Sequence, residues 1–102
     1  MWIFLPESFI SVVQKPGDTD MLTVRARIQG DIESVFPEAH VEADKGTDYK
    51  YRARLSRQTV AQVLQDQVMN LNWGDFKGAV KDRKRHDAYM KVWRAMYAVQ
   101  GR

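Results

Sequence analysis

Seven residues from Leu22 to Ile28, LTVRARI, alternate without a break. Leu22, Val24, Ala26 and Ile28 fall on one side of an extended chain, and Thr23, Arg25 and Arg27 fall on the other. The arrangement returns at Tyr49 to Leu55, YKYRARL, where Tyr49, Tyr51, Ala53 and Leu55 alternate with Lys50, Arg52 and Arg54. A period of two belongs to a half-buried strand, because a helix with this pattern would scatter its apolar groups around the whole cylinder. Any fold of this chain must therefore bury one face of two strands and leave their arginines on the other. Placed in one sheet, the two strands make its polar face basic.

The neighbouring segments supply the rest of that sheet. In Phe9–Val13, FISVV, both alternating sets are apolar apart from Ser11, as expected of a central strand buried on both faces. Trp2–Leu5 is separated from Phe9–Gln14 by Pro6-Glu7-Ser8, which predicts a hairpin or a sharply bent strand. Lys15–Asp20, KPGDTD, is a turn. Ile32, Val35 and Phe36 are spaced as one face of a short helix, with Asp31 as its N-cap and Pro37 closing it. Ala39–Asp44 reads as a weak strand with His40, Glu42 and Asp44 on one side, and residues 45–48 as a turn.

At Ser56 the period changes. Ser56 is a good N-cap, and Val60, Val63, Leu64, Val68 and Leu71 form a helical stripe, predicting a helix over 57–71 that lies across the sheet. Farther on, Phe76 and Val80 project to a different face from Tyr89, Val92, Trp93 and Met96 at about 100° per residue. A short helix near 75–82 and a longer one near 85–99 satisfy both groups, with KDRKRHD as a solvated junction or a kinked continuation. Trp73, Trp93, Met96 and Tyr97 read as core or interface material. The expected fold is α+β, a mainly antiparallel sheet of four to five strands with C-terminal helices packed on one face, in the order β-β-β-α-β-β-α-α-α. With 102 residues, 44% of them hydrophobic, residues 1–102 are expected to form a single domain.

There is no cysteine, which excludes disulfides, thiolate catalysis and cysteine-based metal sites. The apolar start MWIFL is interrupted by Pro6 and Glu7, too short to be a signal-peptide core or to span a bilayer. A cytoplasmic protein with no membrane partner is the expectation. Charge is uneven: residues 77–102 hold eight Lys/Arg against two Asp, a balance of +6, while residues 1–76 hold eight against eleven Asp/Glu, a balance of −3. Such an asymmetry favours nucleic acid or an acidic partner for the C-terminal part.

Arginine forks match phosphate oxygens and stack on bases. Arg25, Arg27, Lys50, Arg52 and Arg54, with Gln14 and Lys15 at their edge, are therefore the candidate anion or nucleic-acid site. The plainer reading pairs these cations across strands with Glu42 and Asp44. Lys81, Arg83, Lys84 and Arg85 form a second basic patch, either a phosphate contact or a solvated helix face. His86 has Asp82 and Tyr89 at helical spacing, and His40 shares a face with Glu42 and Asp44, but neither set has the ligand count or spacing of a catalytic or metal site. The six glycines are scattered and form no phosphate-cradling loop, so no cofactor is predicted.

The phrases SVVQKPGD, LTVRAR, TDYKYR, DFK and YMKVW, following an MW-apolar start, resemble a family of small uncharacterised bacterial proteins of about this length. The likeness runs over nearly the whole chain. It implies a bacterial, intracellular, single-domain protein, with Gln14, Lys15, Asp18, Arg25, Arg27, Asp48, Tyr49 and Arg52 in the shared motifs, and it transfers no catalytic residue. The leading functional expectation is a binding module that takes nucleic acid or another phosphate-rich ligand on the arginine face. Its alternative is a protein-interaction or self-association module, a homodimer included. In that reading the arginines pair internally, and the FISVV strand or the Trp93/Tyr97 helix forms the interface. A small enzyme working through Tyr, Arg and His86 comes third.

Overall fold

The computed structural model describes residues 1–43 and 48–101. The chain divides into two compact units, Met1–Leu71 and Asn72–Arg102.

The first unit holds a five-stranded sheet made of β1 (Trp2–Leu5), β2 (Ser8–Val13), β3 (Met21–Ala26), β4 (Glu42–Ala43) and β5 (Tyr51–Ser56). The strand order is β1-β2-β3-β5-β4, and every neighbouring pair is antiparallel. Alternation dictates the two faces. Ile10, Val12, Leu22, Val24, Ala26 and Ala53 are buried on one side, where α1 (Asp31–Val35) contributes Ile32 and Val35, and Phe36 follows it. Val60 of α2 (Arg57–Met69) closes the same cluster. Ile10, Val24 and Ile32 are fully buried, and each such side chain contributes about 1.5–3 kcal/mol of transfer free energy.

The expected element order is the observed one, and the α+β class with an antiparallel sheet is as expected. Local differences have physical causes. The strand expected over 22–28 stops at Ala26, leaving Ile28 52% exposed. Gly30, in the left-handed region at φ 94°, is the N-cap of α1, and Asp31 is its first residue. The Asp31 carboxylate instead accepts the Phe9 N–H at 3.0 Å, and its carbonyl accepts the Ser8 hydroxyl at 2.7 Å, tying α1 to β2. Ser56 caps α2 as predicted, accepting the Thr59 N–H at 3.0 Å. However, α2 buries only the first half of its stripe: it ends at Met69, and Val68 and Leu71 are exposed. The turn after β2 closes by an Asp18 N–H to Lys15 carbonyl bond of 3.1 Å, with Pro16 at its second position and Gly17 at its third. Gly17 takes φ 87°, the conformation this turn requires and glycine supplies without strain.

The second unit contains α3 (Phe76–Ala79) and α4 (Arg83–Gln100). Phe76 stacks on Tyr89 at a centroid distance of 5.7 Å, and Trp73 sits 5.3 Å from Phe76, so the first half of α4 is held against α3. Asp82 caps α4 by accepting the Arg85 N–H at 2.8 Å. Most of KDRKRHD is thereby the opening of a helix and not a junction.

Candidate functional site

The register lines up one row across the polar face of the sheet, Trp2–Ser11–Arg25–Arg52–Glu42. Beside it runs Val13–Thr23–Arg54. Arg25 and Arg52 therefore stand directly opposite each other on adjacent strands, an unfavourable like-charge pair unless its surroundings compensate.

The flanking arginines of this face are paired with carboxylates from the loops. Arg54 grips Asp18 with two donors, Nη2 to Oδ1 at 2.7 Å and Nε to Oδ2 at 3.3 Å. Arg27 grips Asp48 likewise, Nη1 to Oδ1 at 3.2 Å and Nη2 to Oδ2 at 3.3 Å. These hydrogen bonds hold both carboxyls below the usual aspartate range and raise both guanidinium pKa values. Arg25 lies half-buried, donates from Nη2 to the Ser11 hydroxyl at 2.8 Å, and rests 4.4 Å over the Tyr49 ring centroid. Arg27 rests on the same ring at 4.2 Å. The Arg25 Nε is buried with no hydrogen-bond partner among the described residues.

The candidates are thus brought together in two groups. Arg25 and Arg27 gather around Tyr49 near the start of β5, Arg27 also on Asp48, and Arg52 stands opposite Arg25 in register. Arg54, Gln14 and Lys15 lie toward the other end with Asp18, where Gln14 Oε1 accepts from Arg57 Nη2 and Arg57 Nε also donates to the Thr19 carbonyl at 3.0 Å. Lys50 precedes β5 and is exposed, with its ammonium 5.7 Å over the Tyr51 ring.

The carboxylates gripping Arg27 and Arg54 are Asp48 and Asp18, carried by turns. Glu42 stands opposite Arg52 in register, and Asp44 lies outside the described residues. Two expectations are corrected here. Tyr49, assigned by alternation to the core side, is buried beneath the arginines because a bend at 48–50 breaks the period before β5 begins. Finally, β2 is paired on both edges and largely buried, so the FISVV strand offers no interface. Asp18 and Ser11 were missed as parts of the arginine layer. The signal for Ser11 was its place as the one polar residue in an apolar strand.

The second basic patch opens α4. Lys81 donates to the Gly78 carbonyl at 3.0 Å, and Arg85 reaches the Tyr89 hydroxyl at 3.3 Å. Arg83 and Lys84 are exposed. The first turn of α4 has no acidic residue, so these cations oppose the positive end of its dipole. The His86 ring pairs with Asp87 at 3.3 Å, and the Asp82 contact is made by its backbone N–H.

Beyond Tyr89 the apolar stripe of α4 is uncovered. Trp93 is 58% exposed, Met96 60% and Tyr97 50%, with Val92 and Val99 exposed beside them. Trp93 and Tyr97 stack in parallel, 5.4 Å apart and 3° from coplanar, forming a stiff aromatic plate one helical turn long. Among the described residues no group of three or more His, Cys, Asp or Glu side chains could hold a metal ion, and no helix is long and apolar enough to cross a membrane. Comparison with protein-family models, with curated proteins and with solved structures found no match in any of the three.

Proposed function

We propose that the protein is a protein-interaction module, bacterial and cytoplasmic, whose docking element is the C-terminal half of α4. The observation that carries this reading is the run Trp93–Met96–Tyr97, large, rigid and exposed along one helical face. A contiguous exposed apolar patch of this kind marks a docking surface, and Trp and Tyr lead among residues that dominate binding energy. A helix laid into a partner's groove through anchors one turn apart is a recurring recognition mode. The pairing of Arg27 with Asp48 and of Arg54 with Asp18 supports it from the other side, since those arginines already serve the fold. In-cell photo-crosslinking tests it. A benzophenone amino acid at Met96 should give one discrete adduct, and the same group at Lys91, on the polar side of α4, should give none. No adduct from Met96 would remove the reading.

A second reading places a phosphate-rich ligand, RNA or DNA first, on the Arg25–Arg52 row. Arg25 favours it, being half-buried opposite another arginine with its Nε unsatisfied among the described residues. Affinity for a short single-stranded oligonucleotide would then fall steeply with added salt, and the Arg25→Ala, Arg52→Ala double variant would abolish it. Absence of binding at low salt would exclude this use.

A further inference from the structure

We infer that the surface covering the α4 stripe is a second copy of this chain, packed antiparallel about a two-fold axis at Met96; this rests on the interaction-module reading and names its partner. Three observations support it. The first is area. The exposed parts of Trp93, Met96 and Tyr97, with Val92 and Val99, amount to roughly 500–600 Å² on each copy. Two copies together reach roughly 1,000–1,200 Å², the lower end of the range for a specific interface and the size of a reversible dimer.

The second observation is where the stripe is open. Phe76 stacks on Tyr89, so α3 occupies the first half of α4 and the free segment runs from Val92 to the helix end at Gln100. Its midpoint is Met96. A two-fold there sets Met96 against Met96 and Trp93 against Val99 of the other copy, a self-complementary match of a large side chain with a small one.

The third is charge, which selects the direction. The last turn of α4 carries no basic residue, so no side chain within that turn offsets the negative end of its dipole. In the antiparallel pair Arg94, flanking the stripe of one copy, stands level with the last turn of the other. The cationic openings, Arg83, Lys84 and Arg85, are carried to opposite ends, about 36 Å apart at 1.5 Å per residue. That is well beyond the Debye length of about 8 Å at physiological salt, so they do not repel. A parallel pair would stack the two cationic clusters side by side.

The chain has no cysteine, which makes a direct test clean. Met96→Cys, oxidised in the full chain, should form a disulfide-linked dimer in high yield. Lys91→Cys should not. Sedimentation of the unmodified protein should show a concentration-dependent dimer, and Trp93→Ala should weaken it by roughly thirtyfold or more, as truncation of a central aromatic anchor does. A protein that sediments as a monomer at every concentration, with Met96→Cys no more readily oxidised than Lys91→Cys, overturns the second-copy assignment. If the Met96 crosslink in cells then joins a different protein, the interaction reading stands without it. If Met96 gives no adduct either, both fall.

Discussion

Asp18 and Asp48 hold the two gripped arginines by bidentate contacts, and both carboxyls sit below their ordinary pKa because Arg54 and Arg27 hydrogen-bond to the ionised form. An unfolded aspartate titrates near pH 3.9. With the folded value depressed, the unfolded state binds protons first. The pairs thus stabilise the fold fully above that pH and lose their contribution as pH falls through the folded pKa. Melting temperature measured from about pH 5 downward should fall, and it should fall less steeply in the Asp18→Asn, Asp48→Asn double variant. Equal slopes in the two proteins would show that the pairs are not linked to folding. The exposure of Asp48 and of both arginines keeps the effect small. At this scale the sequence was only partly informative. Alternation put Arg25 and Arg52 on one face, since a strand's period is local. Which carboxylate meets which arginine depends on how the turns at 15–20 and 48–50 fold back, and that is a tertiary matter.

Among the elements, α4 begins against its own electrostatics. Arg83, Lys84 and Arg85 occupy the first turn, and the Asp82 side chain is both the N-cap and the negative charge closest to it in sequence. Asp82→Ala removes the acceptor for the Arg85 N–H and leaves three cations at the positive end of the dipole, costing about 1–2 kcal/mol. Tyr89 follows within two turns and stacks on Phe76, so fraying should spread to the contact between α3 and α4. Amide exchange should accelerate over residues 83–89 while the strands keep their protection, and unchanged exchange at α4 would contradict the assignment. Ser56→Ala at α2 should cost about 1 kcal/mol through loss of the Thr59 N–H acceptor and of the hydroxyl's bond to Thr59 Oγ1. Both caps lay within reach of the sequence, because a cap is a short-range pattern. Ser56 was assigned, and Asp82 was passed over because the surrounding charge run reads as a junction. The half-buried stripe of α2 could not have been foreseen: Val60 and Val68 are equivalent by periodicity, and only the packing beneath distinguishes them.

At the scale of the molecule, every residue of the main apolar cluster, from Ile10 to Val60, belongs to the unit Met1–Leu71, and so do all five strands. Chains of this length do fold alone when one cluster is well packed, though with little margin. The chain cut after Leu71 should therefore keep a strand-rich circular dichroism spectrum and unfold in one cooperative step. It should also lose any dependence of melting temperature on concentration, because α4 is gone and mass action no longer couples folding to pairing. The full chain should melt higher as its concentration rises. These two results separate the fold from its use. An unfolded fragment would mean that the sheet needs the C-terminal helices, and α4 would then be structural first. A folded fragment that still melts at a concentration-dependent temperature would move the self-association surface to the first unit, where Val68, Met69 and Leu71 lie exposed at the end of α2. A folded, concentration-independent fragment leaves the second unit as the element that carries the partner surface, with the apolar cluster of the first unit sufficient to hold the sheet together.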